Sequence, residues 1–229
     1  ALAGAGRLSA PPAPIWLGHA PEHERDPDIR PPLVLSVPVG GGPGGDPPRT
    51  LRLEIHGGTQ PVVDVDGVPA SICLLGAATK QARDVLRPWI DHVVLAAAGL
   101  APEGKRRRVL LLRPRQDRVE QILLAPLDRD LARDYLTRLA SELLGGVHPY
   151  FLPCEGVLGW RAALRKKPDL RLGDYIYVLK EDDWTKFTSD WGPIPAPTGY
   201  PIPAEDEARA MVARRFGPLF EATVEEQQA

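Results

Sequence analysis

Ser71-Ile72-Cys73-Leu74-Leu75 is a short run without a charge, and Leu86-Arg87-Pro88-Trp89-Ile90-Asp91-His92-Val93-Val94-Leu95 follows it at helical spacing. A wholly apolar run of this length is what a central strand covered on both faces requires. Behind it, Ala82, Val85, Leu86, Trp89, Ile90, Val93, Val94 and Ala97 fall on one side of a helix. Thr79 reads as its N-cap and Gly99 as its stop. Pro88, inside this helical pattern, predicts a kink.

Working outward, the segments before and after alternate between the two periods. Leu33 to Val39 has the branched apolar content of a strand, and Leu51 to His56 alternates with period two before a Gly57-Gly58 turn. Val62 to Val65 with Asp66-Gly67 repeats that device. After the helix, Arg106 to Arg113 and Arg118 to Leu124 read as strands joined by a turn at Pro114 to Asp117. Asp128 then caps a second helix with the stripe Leu131, Ala132, Tyr135, Leu136, Leu139, Ala140, Leu143 and Leu144, closed by Gly145-Gly146. A short helix is expected over Gly156 to Lys166, and an amphipathic one from Glu205 to Glu221. Residues 168–192 fit strand or helix. The order implies an α/β fold: a central mixed sheet flanked by helices.

Composition bounds the rest. The chain holds 26 prolines and 22 glycines in 229 residues, roughly a fifth where about an eighth is ordinary. Eleven of the prolines and eight of the glycines lie in residues 1–50. With 43% hydrophobic residues a packed core remains within reach, so the excess is assigned to connections: the beginning of the chain, the glycine-rich 40–48 loop and the 192–203 arm. The 40–48 loop lacks a phosphate-loop lysine and is followed by prolines rather than a helix, which argues against nucleotide binding. The organisation expected is a Pro-rich lead-in and linker over 1–32, one domain over 33–221 and a tail over 222–229. Net charge is −2, which excludes a sequence-wide polycation. Two cysteines, Cys73 and Cys154, exclude a disulfide scaffold or a four-thiolate zinc site and suit a reducing, cytoplasmic setting. No stretch is apolar for long enough to cross a bilayer. The chain begins at Ala1 and its one methionine is Met211, so it reads as a piece of a longer polypeptide.

The same order of elements occurs in metal-dependent nucleases, whose strand before the long helix carries an acid, one residue, then lysine. Carboxylates there hold Mg²⁺ and the lysine orients the attacking water. From Ser71 to Ala78 there is no charged residue, so a metal site cannot be built from this strand.

Several motifs together resemble one family. They are the helix Leu86 to Leu95 with Ala96-Ala97-Ala98-Gly99, Val109-Leu110-Leu111-Leu112-Arg113, and Ala125-Pro126-Leu127. His148-Pro149-Tyr150-Phe151-Leu152-Pro153 and Arg214-Arg215-Phe216-Gly217-Pro218-Leu219-Phe220 complete the set. In order and spacing, from about Leu33 to Phe220, they resemble the C-terminal domain of the RecC (gamma) subunit of exonuclease V, the RecBCD helicase-nuclease. The resemblance implies a degenerate PD-(D/E)xK (restriction-endonuclease-like) fold without catalysis. It implies RecB-type and RecD-type subunits as partners, with DNA as duplex or as split strands at the fork. No cofactor is implied for this domain, ATP and Mg²⁺ being used by the partner subunits. Leu75-Gly76-Ala77-Ala78 stands where many relatives carry an Arg-Pro-Gly-Lys-like segment. The alternatives are an active nuclease with a displaced acid and lysine, and a stand-alone single-stranded DNA binder.

No catalytic or metal-binding residue is expected. Lys105-Arg106-Arg107-Arg108, with Arg113 and Arg115, reads as the cationic cluster of the chain. It is either a phosphate-contacting loop and hairpin or a solvated edge strand guarded by its charges. Trp89 lies on the apolar stripe, and Asp91 and His92, being adjacent, face different ways, so a core or interface role is expected for all three. His19 and His23 have a metal-compatible spacing but lie in an acidic, proline-bounded segment without a helix signal. Asp64 and Asp66 share one face of a strand, expected to be the solvent side of a hairpin. Trp160, Trp184, Trp191, Tyr175, Tyr177 and Tyr200 either stack on bases or anchor a subunit interface; with no basic residue among Gly192 to Pro203, protein contact is expected there.

Overall fold

The computed structural model describes residues 11–40, 47–74, 85–113, 118–144, 157, 160–161, 163–164, 166–171 and 204–224. The expected 40–48 and 192–203 connections, the Thr79 cap, the Pro114 to Asp117 turn and the aromatics of 172–203 fall wholly or largely outside these residues. The chain divides into two compact units. One comprises Ala1–Lys80, Asp84–Gly146 and Leu219–Ala229, the other Gln81–Arg83 and Val147–Pro218.

The first unit is built on a five-stranded mixed sheet. Its strands are β6 (Val62–Val65), β7 (Val68–Leu74), β8 (Arg107–Arg113), β9 (Arg118–Leu124) and β10 (Thr223–Val224), in the order β10-β9-β8-β7-β6. β7 and β8 are parallel, with Ser71 opposite Val109 and Cys73 opposite Leu111, and helix α1 (Leu86–Ala97) makes the crossover. Every other pair in the sheet is antiparallel. Both faces are dry. Ala70, Ile72, Leu110 and Leu112 cluster with Val63 and Val65 on one side. Ser71, Cys73, Val109 and Leu111, on the alternate positions, are equally buried. An uncharged β7 is what such a position demands.

The β6–β7 hairpin turns on Asp66 and Gly67, both with positive φ (53° and 79°). That is the two-residue primed turn matching the twist of paired strands. The Asp64 carboxylate accepts the Gly67 N–H at 2.7 Å and fixes the turn from inside.

α1 begins later than its hydrophobic pattern suggests. Its N-cap is Val85, which places Pro88 in the first turn. There the missing N–H has no intrahelical partner to lose, so the proline requires no kink. The C-terminus is closed by Gly99 at φ 73°, with Leu100 N–H on Leu95 C=O (2.8 Å) and Gly99 N–H on Ala96 C=O (2.9 Å), a Schellman closure. Arg133 of α2 (Arg129–Leu144) adds a hydrogen bond to Ala97 C=O at 3.2 Å. This brings a cation to the negative end of the helix. Asp128 caps α2 as expected, accepting the N–H groups of Asp130 and Leu131 at 2.8 and 3.1 Å. The buried stripe of α2 is narrower than the sequence suggested. Ala132, Tyr135 and Leu136 are buried, whereas Leu131, Leu143 and Leu144 are exposed.

β3 (Leu33–Val39) and β4 (Arg49–Ile55) form a separate antiparallel pair. Leu33, Leu35, Val37 and Val39 point inward at alternate positions, and α2 packs on β3. Two side chains of α2 occupy carbonyls along β3: Arg133 Nη2 donates to Val34 O (2.6 Å) and Ser141 Oγ to Pro38 O (2.5 Å). Pro38 has no N–H to leave unpaired on that side.

Residues before Leu33 contribute β1 (Ile15–Leu17) and β2 (Asp28–Arg30), which pair in parallel. Gly57-Gly58, read as a simple turn, is instead β5, antiparallel to β1. Trp16 explains the difference, since a Cβ on Gly58 would lie 2.6 Å from its indole. The glycine is there for close approach.

The second unit retains Val157, Trp160, Arg161 and Ala163 in helical conformation, part of the helix expected there. It also holds most of α3 (Glu205–Ala222), whose Ala208, Met211 and Val212 are buried. No described helix is long and apolar enough to cross a membrane.

Gly67→Ala, which forces a Cβ into a left-handed backbone, is expected to cost about 1–2 kcal/mol in urea unfolding. Asp66→Asn, equally at home in a primed turn, should leave the midpoint nearly unchanged.

Candidate nucleic-acid interface

The expected cationic cluster does not act as one surface, because β8 sends its side chains alternately to opposite faces. Lys105 and Arg106 precede the strand and are exposed, and Arg108 is half-buried. Arg107 is 3% exposed and turned into the core. It therefore leaves the set of phosphate-contacting candidates. The side chain of Arg113, the last residue of β8, and the whole of Arg115 lie outside the described residues. The edge-strand alternative is also corrected, since β8 is the middle strand of five.

Lys105 reaches the opposite hairpin, where Nζ donates to Gly67 O at 3.4 Å. That tip carries Asp64 and Asp66, and Glu103 lies in the same loop as Lys105, exposed. Acids and bases therefore alternate around the loop. Such a mixed surface attracts a phosphate backbone far less than the sequence cluster alone suggests.

Arg107 has a different role. Its Nε donates to Ser71 Oγ at 2.9 Å, joining the two parallel strands beneath α1. Burial lowers its pKa to about 10, and the Asp91 charge acts in the opposite direction. Asp91, on α1, is 9% exposed, and its Oδ2 accepts the Gln60 N–H at 2.7 Å. Burial pushes the Asp91 carboxyl above its ordinary range, against the Gln60 hydrogen bond and the charges of Arg107 and Arg87. Four segments thus meet in one internal polar network: the loop after β5, α1, β7 and β8. This network was not legible from the sequence, where Arg107 reads as one of four consecutive bases.

His92 faces away from it, toward β9. Its ring Nε2 lies 3.0 Å from Ala125 O, which fixes that nitrogen as the donor. Burial lowers its pKa to about 4, opposed by the Ala125 hydrogen bond and reinforced by Arg107. Trp89, 1% exposed, lies with ring centroids 5.9 Å from His92 and 6.0 Å from Tyr135. All three residues of the Trp89-Asp91-His92 group are internal, as their spacing implied.

His19 and His56 bring their rings to 5.5 Å, and His56 Nε2 lies 3.2 Å from Glu54 Oε2. His23 is exposed. Among the described residues no three His, Cys, Asp or Glu side chains are placed to hold a metal ion. Trp160 is 4% exposed, so its ring is not offered to a base or to a partner. No protein-family model matches the chain, and no curated protein matches it.

Two measurements test the internal network. Asp91→Leu removes the acceptor of the Gln60 N–H and the counter-charge of a buried guanidinium, and should cost about 3 kcal/mol in chemical unfolding. Adding Arg107→Met should recover part of that loss, so the double variant is less destabilised than the two single changes summed.

His92 gives the pH dependence. Its folded pKa, about 4, lies below the ordinary value near 6.5, so between those limits the unfolded chain binds the proton. Stability should fall by up to about 3 kcal/mol as pH drops from 6.5 to 4. Asp91, with its raised pKa, offsets part of the loss. Urea titrations across this range should show a flatter profile for His92→Gln than for wild type.

Proposed function

We propose that this chain is a non-catalytic, nuclease-like domain of a RecC-type gamma subunit. It would scaffold RecB-type and RecD-type motor subunits and guide DNA during double-strand-break processing and recombinational repair. The observation that carries the reading is the chemistry of β7. In a degenerate PD-(D/E)xK arrangement this strand, leading into α1, would hold the metal-binding acid and the lysine. Here it offers Ser71 and Cys73 on one face and Ala70 and Ile72 on the other, all buried. Among the described residues the buried charges beside it are Asp91 and Arg107, which serve Gln60 and Ser71 inside the core. A Mg²⁺-dependent hydrolysis needs carboxylates open to metal and substrate, and neither group is placed for it. The order of meander, β7, α1, β8–β9 hairpin and α2 supports the same reading, as do the motifs shared with the family. ATP hydrolysis and metal-dependent cleavage would then belong to the partner subunits.

Co-expression with RecB-type and RecD-type subunits tests this. The chain is expected to co-purify with them through a salt wash, and to leave linear DNA intact in Mg²⁺ or Mn²⁺. Cleavage that follows the protein through successive columns would overturn the non-catalytic reading. Failure to retain either subunit would overturn the scaffold.

A further inference from the structure

A second basic segment, which the Lys105 to Arg108 run overshadows, lies in the second unit. Between residues 161 and 171 the sequence places Arg161, Arg165, Lys166, Lys167 and Arg171 against one acid, Asp169. The described part of this segment is a compact knuckle. Leu164 N–H bonds to Trp160 O (2.9 Å), Lys166 and Lys167 N–H both bond to Ala163 O (3.0 Å), and Leu170 N–H bonds to Lys167 O (3.1 Å). The indole N–H of Trp160 then closes the loop on Leu170 O at 2.9 Å. The guanidinium of Arg209, from α3, lies 5.1 Å from the centroid of the same ring. Trp160 is thus a buried hub that ties down the loop at Leu170 and takes the Arg209 guanidinium over its ring.

Arg161, Lys166, Lys167, Arg171 and Arg209 are all exposed. Arg209 is answered by Glu205 at 2.8 Å. Lys166, Lys167 and Arg171 make no ion pair among the described residues. Three unanswered cations on a hydrogen-bonded loop form a stronger anion-attracting surface than the mixed charges around Lys105.

We propose that this knuckle is a phosphodiester-backbone contact of the chain, with Lys166, Lys167 and Arg171 touching nucleic acid without reading its sequence. The surroundings favour nucleic acid over other polyanions. None of the exposed large hydrophobic residues lies in 157–171 or 204–218, among the described residues. Among the described residues, an acidic peptide would find no exposed large apolar side chain to anchor on, and a membrane surface none to take up. A phosphate backbone needs only the charges. With Trp160 buried, no base can stack there, so duplex and single strand are held by the same contacts. The inference rests on the proposed function only in supposing that DNA is present, and it survives if the partner subunits prove wrong.

The test is fluorescence anisotropy of the 229-residue chain with labelled duplex and single-stranded oligonucleotides between 50 and 300 mM salt. Replacing Lys166, Lys167 and Arg171 by alanine should weaken binding about tenfold at the lowest salt. It should also flatten the plot of log affinity against log salt by about two to three units for duplex. Lys105→Ala with Arg106→Ala should change the slope by less than one unit. Lys166→Arg with Lys167→Arg should preserve it, and a glutamine triple variant repeats the test should the alanine set lower the melting temperature. An unchanged slope in the triple variants would overturn the proposal. So would absence of wild-type binding at 50 mM salt, or equal competition by polyglutamate of matched charge.

Discussion

The parallel pairing of β7 with β8, covered on both faces, is the constraint on which the rest depends. A strand dry on both sides cannot carry charge without a partner, and β7 accordingly runs from Val68 to Leu74 without one. Its neighbour carries a fully buried charge at Arg107, and the surrounding structure answers part of it. Ser71 supplies an acceptor, Asp91 a counter-charge, and the Gln60 N–H holds Asp91 in place. The crossover helix is thereby fixed to the sheet by electrostatics, and by Trp89 to Tyr135 of α2.

The same constraint separates two kinds of basic residue that look alike in sequence. Arg107 sits among four consecutive bases, yet its position in the strand turns it inward. Lys105 and Arg106, two and one residues earlier, remain outside. The period of a strand, rather than the density of charge, decides which cations a partner can meet. By that criterion the loop at 166–171, where no strand alternation operates, presents a more coherent cationic surface than the segment that first attracts attention.

Much of the scaffold was legible because its signals are local. Gly99, Asp128 and the Asp66-Gly67 pair act within a few residues of themselves, through caps and turns whose geometry admits few alternatives. What escaped reading depends on distant partners. Gly57-Gly58 is a strand because Trp16, some forty residues earlier, leans on it. Pro88 produces no kink because α1 starts at Leu86, and the apolar residues before it, which suggested a longer helix, do not say where the first turn falls. Arg107 becomes internal only once Ser71 and Asp91 surround it. That β7 carries no charge was legible, whereas the internal network of Gln60, Asp91, Ser71 and Arg107 was not.

β10 completes the sheet by laying Thr223 and Val224 beside Leu124 and Leu123, while Ala125 N–H bonds to Ala222 O. Those partners stand roughly a hundred residues apart, and Val147–Pro218, nearly all of the second unit, is threaded between them. Closing so long a loop carries a large entropic cost for two residue pairs of sheet. Sequence-distant contacts of this kind are made late in folding. During synthesis, β9 must therefore stand as the sheet's unguarded margin while the intervening unit emerges. The final strand then serves as a clasp that fastens only after everything enclosed by it has been made.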